Sequence, residues 1–138
     1  MRVVGLDLGA RRIGVAVSDP SGTIASPLEV LERSGDAVAD RRRLAALVRE
    51  VEAERVVVGL PLSLSGDTGP AAQAALAEAQ DLADALGVPV ETCDERLSTV
   101  SATGTLRALG VRGEARRRTV DKVAAAVILQ SWLDRRRA

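Results

Sequence analysis

Residues 2–18 read RVVGLDLGARRIGVAVS. Two apolar runs, Arg2–Leu8 and Ile13–Ser18, flank the short link Gly9-Ala10-Arg11-Arg12, a spacing that suits a β-hairpin. Asp19-Pro20-Ser21-Gly22 is a turn signal, and Ile24–Leu31 reads as a third strand meandering back. The period then changes. Residues 36–54 place Val38, Leu44, Ala45, Leu47, Val48 and Val51 near one side of an amphipathic helix, with Arg41–Arg43 between them. Arg55–Leu60 is a continuous apolar run, the mark of a buried parallel strand.

The loop Pro61–Gly69 leads into an Ala/Leu helix over Pro70–Leu86, with Pro70 in its first turn and Gly87 just past its end. Val88–Cys93 reads as the fifth strand. Ser98 is a suitable N-cap for a short helix to Leu109, which Gly110 closes. Val111–Arg118 reads as a basic loop and Val120–Leu133 as the last helix. The order β-β-β-α-β-α-β-α-α implies an α/β fold: a mixed five-stranded sheet flanked by helices. At 138 residues and 46% apolar, one domain over 1–138 is expected, with a core that needs no disulfide.

Composition removes whole reaction classes. There is no His, which excludes Ser-His-Asp triads and imidazole metal sites. Cys93 is the one cysteine and Lys122 the one lysine, so neither a CxxC pair nor a GK[ST] phosphate loop exists. Trp132 is the single aromatic, which argues against aromatic platforms that stack single-stranded bases. Carboxylates and arginines remain for chemistry. Their distribution is uneven: residues 1–106 carry ten basic and sixteen acidic side chains, residues 107–138 nine basic and three acidic. A basic C-terminal segment containing Arg116, Arg117, Arg118 and Lys122 fits a polyanion, and equally a solvated helix face. No run approaches the ~18 apolar residues of a membrane helix, and a free cysteine points to the cytoplasm.

Three carboxylates need a reason. Asp7 lies inside an apolar strand, on the face shared with Val3 and Gly5. A carboxylate there requires a metal, several donors, or an ion pair with Arg11 or Arg12. Asp94 and Glu95 end the fifth strand, and alternation lets only one of them face the side that Asp7 faces. Asp121 opens the last helix and heads the stripe Asp121, Ala125, Ile128, Trp132, where an acid in the first turn would also suit the helix dipole. Brought to one sheet edge, such oxygen ligands suit Mg²⁺ or Mn²⁺. Two such ions ~4 Å apart hydrolyse phosphodiesters by activating water and stabilising the leaving oxygen.

Asp-Leu-Gly-Ala-Arg-Arg-Ile-Gly-Val-Ala (7–16), Val-Gly-Leu-Pro-Leu (58–62) with Gly66 and Gly69-Pro70, Asp-Glu-Arg-Leu-Ser-Thr (94–99), and Val-Asp-Lys-Val-Ala-Ala-Ala-Val-Ile-Leu-Gln (120–130) together resemble the YqgF/RuvX family. The resemblance covers nearly the whole chain. It implies a ribonuclease H-like fold, and places the catalytic, metal-binding carboxylates on Asp7, Glu95 and Asp121, with Asp94 facing away. It implies a nuclease of the pre-16S rRNA end, acting in ribosome biogenesis alongside ribosomal particles. The alternatives are a Holliday junction resolvase acting on branched DNA, for which a homodimer would matter, and an inactive nucleic-acid-binding module.

Arg12 and Arg96 adjoin the carboxylates and can hold them or contact the phosphate. The Gly66–Gly69 loop either approaches the substrate backbone or simply enters the helix. RuvC-type resolvases carry a fourth carboxylate three residues after the helix Asp; here that position is Ala124. The first motif also resembles the phosphate-binding strand of actin-like kinases, which need two such domains to close over a nucleotide.

Overall fold

The computed structural model describes residues 1–60, 69–94 and 113–137, with side chains over residues 121–136 in the last segment. The hairpin reading holds: β1 (Val3–Leu8) pairs antiparallel with β2 (Arg12–Ser18), and β2 with β3 (Ala25–Glu32). After α1 (Ala37–Glu50), strand β4 (Arg55–Leu60) returns parallel to β1. After α2 (Pro70–Leu86), β5 (Val90–Asp94) lies parallel to β4. The last helix, α3, runs Gly113–Arg137. The sheet order is β3-β2-β1-β4-β5.

Alternation sorts the core into two layers. Val4, Leu6, Ile13, Val15, Val56 and Val58 pack under α1 and α2 against Leu44, Val48, Leu82 and Leu86. On the other face, Val3, Ala16, Val57 and Cys93 meet Ala125, Ile128, Leu129 and Leu133 of α3. Each fully buried Leu or Val removes apolar surface worth ~1.5–3 kcal/mol from water. Helix ends follow local chemistry. Asp36 caps α1 by accepting from the Val38 and Ala39 amides. Pro70 opens α2, and Gly87 closes it in the left-handed conformation at φ 72°.

The structure corrects three expectations. The basic loop at 111–118 is helix from Gly113 onward, so Asp121 sits two turns inside α3 rather than at its start. Glu114, Ala115 and three arginines are good helix formers, but an arginine run has no apolar period to betray a helix. Val38 is 50% exposed, because α1 turns Leu44, Ala45, Leu47 and Val48 inward instead. Strand and helix ends move by one to four residues: α1 ends at Glu50, and β5 starts at Val90. The expected helix Ser98–Leu109 and loop positions 61–68 lie outside the described residues.

Candidate active site

β1, β4 and β5 are parallel, so their C-terminal ends, at Asp7-Leu8, Leu60 and Asp94, share one edge of the sheet. Open α/β sheets place their sites at that edge. Asp7 is half-buried there, on the α3 face, directly opposite Gly14 of β2. Gly14 has no side chain for a reason. A Cβ at that position would lie 2.0 Å from the backbone oxygen of Asp121, so α3 rests its backbone on the strand. Gly5 repeats the contact one step along β1, where a Cβ would meet that of Leu129 at 2.7 Å. These bare positions let α3 lie low and carry Asp121 to the residue paired with Asp7.

Arg12 completes the arrangement. Its Nε donates to Asp121 Oδ2 at 2.8 Å, with both side chains about four-fifths covered. Low exposure strengthens such a charge-assisted bond. The guanidinium therefore fixes one carboxylate oxygen and offsets its charge.

The turn joining Asp7 to Arg12 is gripped from outside. The Gly9 amide donates to the carbonyls of Asp7 (3.1 Å) and Arg12 (3.0 Å). Beyond β3, the Arg33 amide donates to the Arg11 carbonyl and its Nε to the Gly9 carbonyl, both at 2.8 Å. The other end of that guanidinium forms a two-pronged bond to Glu78 of α2, at 2.8 and 3.0 Å. Glu78, chiefly through these hydrogen bonds, raises the Arg33 pKa above its ordinary value. Arg33 and Glu78 lie 45 positions apart, and nothing local in the sequence announces them. Gly14 was legible in principle, since a glycine inside an apolar strand signals a close backbone approach.

Alternation along β5 turns Glu91 and Cys93 toward α3, where Glu91 meets Trp132 and Cys93 joins the core. Asp94 therefore lies on the α2 side, with Val90. Glu95, Arg96 and the side chains of Arg116, Arg117 and Arg118 lie outside the described residues; Lys122 is half-buried beside Asp121. Among the described residues no three acidic, Cys or His side chains form a metal-binding group. Asp7 and Asp121 fit part of an all-oxygen set for a hard cation, with Asp121 oriented by Arg12.

The profile described as RuvX: Holliday junction resolvase matches residues 1–135. The chain belongs to the RuvX family. A protein of Mycobacterium sp. (strain KMS), provisionally named a pre-16S rRNA nuclease, is 52% identical over 138 residues, covering 99% of this chain and 82% of its own. A Nocardia farcinica protein with the same provisional name is 47% identical, covering 99% of this chain and 79% of its own. Among solved structures, RuvC of T. thermophilus in complex with a Holliday junction substrate superposes with TM-score 0.62 at 22% identity, over 100% of this chain and 97% of that one. The RuvX chain thus has the ribonuclease H-like fold of RuvC. At the position expected to lack RuvC's fourth carboxylate, Ala124 is fully buried.

Proposed function

We propose that this RuvX-family chain is a divalent-metal-dependent phosphodiesterase that processes the end of the 16S ribosomal RNA precursor. The observation that carries the reading is the seating of the Asp121 backbone on Gly14, the residue paired with Asp7, with Arg12 bonded to the Asp121 carboxylate. The relatives of about half identity, named for pre-16S rRNA cleavage, support the substrate class.

Asp7, Glu95 and Asp121 would hold Mg²⁺ or Mn²⁺. When bound, these ions supply water activation and neutralise charge on the leaving oxygen. The chain's own part is placement. The sheet edge positions Asp7, the bare glycines bring Asp121 over it, and Arg12 orients Asp121 and offers a cation toward the phosphate. Arg96, Arg116, Arg117, Arg118 and Lys122 would attract the polyanion backbone that three carboxylates repel. A binding module without activity has no use for that repulsion.

Cleavage of two matched substrates with Mn²⁺ tests the reading. A precursor ribosomal RNA leader should be cut and a four-way DNA junction spared. The reverse preference would overturn the substrate, and inertness toward both would overturn the activity.

A further inference from the structure

At the opposite end of the α3 face lies a cavity of about 510 Å³ between β5 and the C-terminal turns of α3. Sites for small ligands span roughly 300–1,000 Å³. Its walls include Arg55, Glu91, Cys93, Trp132, Arg135 and Arg136.

Trp132 is held in one orientation. Its Nε1 donates to Glu91 Oε2 at 2.9 Å, and Arg55 holds Glu91 Oε1 at 2.6 Å. The Arg136 guanidinium lies over the indole, 5.2 Å from its centre. Arg135 reaches from α3 toward β5, its Nη2 2.8 Å from Cys93 Sγ and 3.2 Å from Ser131 Oγ. Three guanidiniums face one carboxylate, so the lining carries a net positive charge of two. The Nε of Arg55 is buried and has no hydrogen-bond partner among the described residues.

We propose that this cavity binds one nucleotide of single-stranded RNA, its base stacked at Trp132 and its phosphate between Arg135 and Arg136. The inference rests on the nucleic-acid reading above and adds a second contact to it. Aromatic and guanidinium planes both accept a stacked base. A lone tryptophan makes this a single stacking position, in keeping with the absence of any multi-base platform. Trp132 stands eleven residues beyond Asp121 on the same helix, about 16 Å along its axis. That is the reach of about five stacked nucleotides at ~3.4 Å each. A strand held at the carboxylates therefore has the length to arrive here.

Trp132 is the only aromatic residue, so its fluorescence reports occupancy without interference. The full chain carrying Asp7→Asn, in which cleavage should be lost, is titrated with hexauridylate, uridine monophosphate and inorganic phosphate. Hexauridylate should quench Trp132 saturably, and Arg135→Ala with Arg136→Ala should weaken that binding about tenfold. Emission that stays unchanged while a gel shift shows RNA bound would overturn the proposal. So would equal quenching by phosphate alone, which defines a simple anion site, or equal affinity for the monophosphate, which removes the strand. An affinity unmoved by the double substitution would do the same. Cleavage by the unsubstituted protein is measured separately, so an active nuclease with a silent Trp132 removes this inference and leaves the function standing.

Discussion

Gly14 decides how close the last helix comes to the sheet, because its missing side chain is the space that the Asp121 backbone occupies. Gly14→Ala must lift α3 from β2 and draw Asp121 away from Asp7. Overpacking of this kind costs about 1–3 kcal/mol, measurable by urea unfolding, and should cut cleavage further than the stability loss alone explains. An alanine variant of unchanged stability would show that the contact is slack. Asp7→Asn keeps the shape and removes the charge. Cleavage should disappear while RNA binding holds or tightens, because a repulsive carboxylate has gone; cleavage at the original rate would end the metal-site reading. Away from the site, Asp19 closes the β2–β3 turn by accepting from the Ser21 hydroxyl and the Thr23 and Ile24 amides, and its pKa falls to about 2, chiefly through the Ser21 bond. A depressed carboxylate stabilises the fold above its unfolded pKa of ~3.9, and the contribution is lost as pH falls through the folded value. Asp19→Asn should therefore melt below the parent at neutral pH, and the gap should close between pH 4 and 2.

Between elements, Arg33 and Glu78 tie the β1–β2 turn to α2, across the two-stranded arm that β2 and β3 form. Hydrogen bonds to charged groups contribute about 1.5–3 kcal/mol, so Arg33→Met should lose stability in that range. It should also lower kcat more than it raises KM, since the turn positions Asp7 and Arg12 without touching substrate. Hydrogen exchange at the Gly9 and Arg12 amides should quicken; unchanged exchange would mean the hairpin holds itself. This clamp marks the limit of what the sequence discloses. The hairpin, the parallel strands and the caps of α2 were readable because each is a local pattern of alternation, apolar runs, proline and glycine. Asp7 was readable because a charge interrupts an apolar strand. The early start of α3 was not, since its arginine-rich turns have helix propensity but no apolar stripe. An ion pair spanning 45 positions leaves no periodic trace at all.

On the scale of the whole molecule, zero net charge conceals two halves of opposite sign, with the basic half on and before α3. A helix that begins at Gly113 changes what that basic segment can do. A loop could wrap three arginines around one phosphate, whereas a helix spreads positions 116, 117 and 118 over ~200° of its circumference. Positions 117 and 118 stand four and three residues before Asp121, the spacings that share a helix side, while position 116 is turned about 140° away. Phosphate contacts on single-stranded RNA contribute about 0.7 each to the slope of log K against log salt. Replacing Arg117 and Arg118 with alanine should then flatten the slope by about 1.4, and replacing Arg116 alone should change it by less than half a contact. The measurement is RNA affinity of the Asp7→Asn chain from 50 to 200 mM salt. Equal effects at all three positions would return the segment to a diffuse positive field rather than a helix side facing the RNA strand. No effect at any of them would make it a solvated surface, with the substrate held by other cations.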